Sequence, residues 1–228
     1  MKIEIWSDYA CPFCYIGEKR LEKALAEVKS DKIEVEFKSF ELDPTASNKV
    51  VSSTVDRFAQ KYNLSKEDAA KRIEAISIMG QREGIDFKYS STRYTNTFDS
   101  LRLTKLAQQK NHNEIITKLF DAYFTKNLEL SDRKVLKKIA VECGIDENEV
   151  DDLLNSDKFA AEVRADENEA AMLGIHGVPY FLINGKYALS GAQPIEVIKE
   201  AIEDILSKED FDDLNGMTCG PNGCRFEN

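Results

Sequence analysis

The stretch Ile3-Glu4-Ile5-Trp6-Ser7-Asp8-Tyr9-Ala10-Cys11-Pro12-Phe13-Cys14 decides how the chain is read. Ile3 to Trp6 alternates apolar and polar residues as a half-buried strand does, and Leu21, Leu25 and Val28 then recur at helical spacing. Two cysteines therefore fall one helical turn apart where a helix opens. A sulfur in that place faces unpaired backbone N–H groups and the positive end of the helix dipole, which favour the thiolate of the outer cysteine. Cys11 is the expected nucleophile. Cys14, three residues on and on the same side, is placed to close a disulfide once Cys11 has formed a mixed disulfide with a partner. Pro12 suits a first turn, where its missing N–H costs nothing. Half of a zinc site has the same Cys-x-x-Cys spacing, but the strand before it and the helix after it select the redox reading, with no metal.

Outward from this motif, residues 33–40 alternate again as a second strand, so the chain begins with a β-α-β unit, which Pro44 closes. From about residue 52 to 173 the pattern is helical. Ser65 with Asp68 and Asp146 with Glu149 resemble capping boxes, and Ser131 reads as a further N-cap. Ile115, Ile116, Leu119, Phe120, Tyr123 and Phe124 make one apolar stripe; Val135, Leu136, Ile139, Ala140 and Cys143 make another. A period of two returns in Tyr180-Phe-Leu-Ile, and Asn184-Gly185 then signals a hairpin into Tyr187-Ala-Leu-Ser. Pro194 opens a last helix with Ile195, Ile198, Ile202 and Ile205 on one face. Beyond Ser207 the chain turns acidic and irregular. The expected organisation is an α/β fold: residues 1–45 and 175–207 form a discontinuous sheet-bearing domain, 46–174 an inserted all-helical domain, and 208–228 an acidic cysteine-containing tail.

The 228 residues are 42% hydrophobic, enough for a substantial core. A formal net charge of −10, with no basic stripe to offset it, disfavours nucleic acid and anionic membrane as partners. No apolar run is long enough to span a bilayer, and no leader-like segment precedes the first strand, so a cytoplasmic location is expected. In that compartment a Cys-x-x-Cys pair is catalytic or metal-binding rather than a structural staple.

Taken together, Ser7-Asp8-Tyr9-Ala10-Cys11-Pro12-Phe13-Cys14, Asn96-Thr97-Phe98-Asp99 with Arg102-Leu103, and Gly177-Val178-Pro179-Tyr180-Phe181 resemble the DsbA-like oxidoreductases of the FrnE type, over about residues 1–206. The resemblance implies a thioredoxin-like fold with a helical insertion, a cis bond before Pro179 facing the cysteines, and thiol–disulfide exchange, including isomerisation. Val178 and Pro179 are then the expected substrate-binding pair, because the Val178 backbone beside Cys11 can pair with an extended substrate segment. Thiols or disulfides, protein or small, are the expected partners. No cofactor is needed beyond the redox-active disulfide, with glutathione as a conceivable co-substrate. Phe13 departs from the His of strongly oxidising DsbA-type enzymes and cannot supply that imidazolium's charge, so a less oxidising centre is expected.

The other cysteines divide. Cys143 continues an apolar stripe and reads as an inert core residue. Cys219 and Cys224 flank Gly220-Pro-Asn-Gly223, a turn-forming tetrapeptide, and are either a second redox pair or an incidental pair on a loose terminus. Joining all four into one zinc site is a third reading, which would silence the exchange chemistry. Met79, Tyr94 and Phe98 of the helical stretch are candidates to line a substrate groove. His176 receives no role, and no Ser-His-Asp arrangement, phosphate loop or His-rich cluster is present. Two rival functions remain: a glutathione-dependent isomerase or kappa-class-like glutathione transferase, whose members usually hold a Ser near the first cysteine position, and a non-catalytic zinc-binding module.

Overall fold

A computed structural model describes residues 1–228 except 29, 31, 216, 221, 222, 227 and 228, with side chains described as far as residue 208. Strand β1 (Lys2–Ser7) leads into helix α1 (Pro12–Val28) and returns as β2 (Glu34–Ser39). β2 pairs in parallel with β1 from Lys2↔Glu34 to Ser7↔Ser39. After the helical stretch, β3 (Tyr180–Ile183) joins β1 antiparallel and β4 (Tyr187–Ser190) joins β3, giving the order β2-β1-β3-β4. The β3–β4 turn is Asn184-Gly185, both at positive φ (50° and 65°), the backbone a primed hairpin turn requires.

Successive side chains of a strand point to opposite faces, and β1 uses both. Ile3 and Ile5 pack with Leu21 and Ala24 of α1 and with Ile198, Ile202 and Ile205 of the closing helix α9 (Ile195–Asn215). Trp6 points the other way, onto Ala170 and Ile175. Each aliphatic side chain so buried contributes about 1.5–3 kcal/mol relative to exposure. Ala170 belongs to α8 (Ala160–Met172), which covers the second face of the sheet. Although α8 falls inside the 46–174 stretch, it serves the sheet: the Trp6 indole N–H donates to the Asp166 carbonyl at 3.0 Å, and the Ser39 N–H donates to the Asp166 carboxylate at 2.7 Å.

The intervening helices are α2 (Thr54–Tyr62), α3 (Lys66–Arg82), α4 (Phe98–Gln109), α5 (Glu114–Phe124), α6 (Arg133–Glu142) and α7 (Glu147–Leu154), with a single 3-10 turn at Tyr89–Ser91. Ser65 caps α3 and Asp146 caps α7, as their sequences announce. Ser131 does not cap α6. Its N–H bonds Thr95 and its hydroxyl bonds the Asn48 carbonyl, so the neighbouring Asp132 accepts the Lys134 N–H instead.

These helices join the sheet portion through an aromatic stack. Tyr9 and Tyr15, from the loop and first turn around the cysteines, meet Phe120 of α5 at 4.9 and 5.1 Å between ring centroids. Phe124 continues the stack onto Phe87 at 4.7 Å. Cys11, Cys14, Tyr9 and Tyr15 therefore share one buried cluster with the helical stretch rather than with the α1–α9 face of the sheet.

Past Ser207 the backbone is more regular than its composition suggests. α9 runs on to Asn215, and β5 (Met217–Gly220) pairs antiparallel with β6 (Gly223–Phe226), setting Cys219 opposite Cys224 in the register. The side chains of both cysteines lie outside the described residues.

Candidate functional site

The loop between β1 and α1 is held by Asp8. This carboxylate is 1% exposed and accepts from the Ala10 N–H (3.1 Å), the Leu42 N–H (2.7 Å) and the Thr97 hydroxyl (2.9 Å). Burial pushes its pKa up, while those three donors work against that rise. The Asn96–Arg102 stretch is what delivers Thr97. The Asn96 side chain accepts from the Phe98 N–H at the start of α4. Arg102, buried and paired with Asp99 at 2.8 Å, ties α4 to the carbonyls of Leu153, Ser156 and Lys158.

On this scaffold Cys11 lies just before α1 and Cys14 within its first turn, both as free thiols. The Cys11 N–H donates to the Asp8 carbonyl at 3.0 Å, and the Cys14 N–H to the Cys11 carbonyl at 3.1 Å. Opposite them, Val178-Pro179 is a cis peptide. The Cys11 thiol lies 3.5 Å from the Val178 carbonyl oxygen, so three of the predicted site residues meet at one point. Pro179 comes this close because Gly17 faces it from α1: a Cβ there would sit 3.1 Å from the proline Cγ and 3.3 Å from the Phe181 ring. The Val178 N–H makes no hydrogen bond among the described residues, so it is available to an added extended segment.

The two sulfurs differ in surroundings. Burial pushes the Cys14 pKa well up, and the neighbouring Cys11 sulfur raises it further, against weaker help from Ser7 and the Asp8 backbone. Cys11 lies in the wall of a cavity of about 480 Å³, and Cys14 is not part of its lining. Phe13, 37% exposed between the cysteines, forms a rim of the cavity with Val178 and Gly177; Phe58, Tyr62, Tyr89 and Ile76 supply the apolar walls. Of the side chains expected in a groove, Met79 and Phe98 pack against the core instead. Tyr94 lines an adjoining shallow pocket rather than the cysteine cavity, and the Arg57 guanidinium stacks on its ring at 3.9 Å.

Reading the residues alone overlooked Asp8, Arg57, Phe58 and Tyr89. Asp8 sits inside the quoted motif and carries a signal, a carboxylate just past the alternating strand and three residues before the first cysteine. Arg57 carries none, since on a charged helix it reads as a solvated cation. Among the described residues no group of three or more His, Cys, Asp or Glu side chains is arranged to hold a metal, and no helix is long and apolar enough to cross a membrane.

A sheet of this order, a Cys-x-x-Cys pair at the opening of α1 and a cis-proline beside it define a thioredoxin-like oxidoreductase fold. The chain belongs to the DSBA-like thioredoxin domain family, which it matches over residues 2–203. It is 34% identical to a probable DsbA oxidoreductase of Streptomyces coelicolor, whose crystal structure superposes with a TM-score of 0.86 over 100% of both chains. It is also 27% identical to the uncharacterised protein YwbO of Bacillus subtilis, over 91% of this chain and 98% of that one. A cytosolic disulfide reductase of Pseudomonas aeruginosa, DsbM, whose structure is also known with GSH, shares the fold at 15% identity and a TM-score of 0.63, over 91% of this chain and all of that one.

Proposed function

We propose that the chain exchanges disulfides with thiol-bearing partners through Cys11 and Cys14. Cys11 bonds the partner, Cys14 resolves the mixed disulfide, and the Val178 backbone orients the incoming segment beside Pro179. The observation that carries this reading is the asymmetry of the pair: Cys11 opens onto a cavity beside the Val178 carbonyl, while Cys14 is sealed behind it. A partner disulfide entering the cavity meets one sulfur only. The second is reached after the first bond has formed, which is the order that dithiol exchange demands.

Thiol titration across a glutathione redox buffer tests this. Cys11 and Cys14 are expected to pass reversibly between dithiol and disulfide. Because the Phe13 ring offers the thiolate no positive charge, their potential is expected below the roughly −120 mV of DsbA. A potential at or above that value would show that something other than the residue between the cysteines stabilises the reduced form. Failure of the pair to cycle at all would remove the proposal.

A further inference from the structure

The resolving sulfur is buried, yet it must carry a negative charge to attack, so the groups lying against it decide how readily it reacts. β1 supplies one of them. Odd-numbered residues of this strand face α1: Ile3 and Ile5 pack on Leu21 and Ala24, and Ser7 ends the same row beneath the opening of that helix, where Cys14 lies. Ser7 is 2% exposed and Cys14 1%. The Ser7 hydroxyl hydrogen-bonds the Cys14 sulfur, and the Asp8 N–H donates to it as well. The Ser7 carbonyl accepts from the Phe40 N–H at 3.1 Å, which fixes this end of the strand.

The ionisable side chains around Cys14 are engaged elsewhere. The Asp8 carboxylate accepts from Ala10, Leu42 and Thr97, and the Tyr9 hydroxyl shares a hydrogen bond with Thr104. In α1, Tyr15 stacks on Phe120, and Glu18 accepts from the Thr117 hydroxyl. Cys11 turns its thiol toward the Val178 carbonyl and, once bonded to a partner, has no proton to offer. β2 and β3 set Phe37, Ser39 and Phe181 on the same face of the sheet, none of them charged. Charge that forms on the Cys14 sulfur is therefore met by the Ser7 hydroxyl and the Asp8 N–H, and hydrogen bonds to a charged group are the stronger kind.

We propose that the Ser7 hydroxyl, together with the Asp8 N–H, holds the negative charge of Cys14 whenever that sulfur attacks or departs, and so sets the rate of the second exchange step. This rests on the exchange chemistry proposed above. In the forward direction the Cys14 thiolate attacks the Cys11 sulfur of the mixed disulfide; the Cys11–Cys14 bond forms, the bond from Cys11 to the partner breaks, and the partner sulfur leaves as a thiolate. The proton lost by Cys14 is balanced by the one the departing thiolate takes from solvent. In reverse, a partner thiolate attacks Cys11 and Cys14 departs with the negative charge. At neutral pH Cys14 is uncharged both as thiol and within the disulfide, so the donor lowers the barrier in both directions and leaves the equilibrium where it is.

The test mixes reduced protein with bis(2-hydroxyethyl) disulfide and follows the Cys11 mixed disulfide by rapid quench and mass spectrometry; the reverse step mixes the oxidised protein with 2-mercaptoethanol. In Ser7→Ala the Cys14 thiolate fraction at a fixed pH is expected to fall about twentyfold and the more basic sulfur to regain about fourfold in reactivity, so resolution runs about fivefold slower from pH 7 to 9 with its slope unchanged. The reverse step slows by the same factor. Formation of the mixed disulfide, measured in the Cys14→Ser background, and the potential in a glutathione buffer keep their wild-type values. Ser7→Thr, which retains the hydroxyl, is expected to recover most of the lost rate. Ser39→Ala removes a buried hydroxyl that has no hydrogen-bond partner among the described residues, one strand away in the register, and is expected to change none of these quantities. Resolution within twofold of wild type in Ser7→Ala, an equal slowing in Ser39→Ala, or a shifted potential overturns the inference while leaving disulfide exchange standing. A wild-type protein that forms no mixed disulfide with the probe overturns the exchange chemistry itself.

Discussion

Cys14→Ser is expected to accumulate as a stable mixed disulfide through Cys11, whereas Cys11→Ser abolishes exchange. Removing the attacking sulfur eliminates the first bond. Removing the resolving sulfur leaves the first bond intact with nothing nearby to break it. Mass spectrometry of Cys14→Ser recovered from cells or from a disulfide mixture reads the adduct directly; an unmodified Cys11, or exchange that survives Cys11→Ser, would sink the assignment. The wild-type protein should also show a pH signature at the second step. Burial raises the Cys14 pKa, so at neutral pH only a small fraction is thiolate, and the attacking species grows as pH rises. Desolvation is the largest cause and persists once Cys11 is bonded to a partner. Resolution measured by rapid quench should therefore accelerate about tenfold per pH unit from pH 7 to beyond pH 9, with no plateau in that window. A plateau near neutrality would mean that solvent reaches Cys14 in the mixed disulfide.

The largest effect on stability is expected at Asp166. Its carboxylate is nearly sealed and binds the Lys105 ammonium at 2.5 Å, the Ser39 N–H at 2.7 Å and, more distantly, Lys38 at 3.7 Å. It thereby links α8, α4 and β2 through one side chain. Asp166→Ala strands the Lys105 ammonium with only the Phe37 carbonyl (3.2 Å) and leaves the Ser39 N–H unpaired. Breaking a buried pair by removing one member costs about 3–5 kcal/mol, and the low end applies here because Lys105 keeps that second contact. Urea unfolding should show the midpoint lowered with an unchanged slope. Asp166→Asn, which still accepts from Ser39, should lose less. A loss below about 1 kcal/mol for the alanine variant would show that water takes the place of the carboxylate.

Much of this architecture is readable before any coordinates. The strand, the cysteine pair and the helix announce themselves in the first 28 residues; Asn184-Gly185 announces the hairpin, and Ser65 and Asp146 announce helix starts, because each is a local effect of backbone geometry. What escapes the sequence is settled by distant neighbours. α8 buries Val163, Asp166 and Ala170, one of them charged and one a single methyl, so no apolar stripe marks it as a sheet-covering helix. Ser131 has the right chemistry for a cap, but Thr95 and Asn48, far away in sequence, take both its polar groups. The site divides in the same way. Cys11, Cys14, Val178 and Pro179 are carried by short motifs and are brought together, whereas Arg57 takes its place beside the cysteine cavity through Tyr94, a residue 37 positions away whose ring stacks on its guanidinium.

The ring ladder from Tyr9 and Tyr15 through Phe120 and Phe124 to Phe87 has a consequence for how the chain comes apart. Its rungs alternate between the segment holding the reactive sulfurs and the helices that follow it, so neither can loosen without exposing the other's aromatic surface to water. Heat or denaturant should therefore meet a single melting unit here, and excising the helices would not leave behind a working miniature.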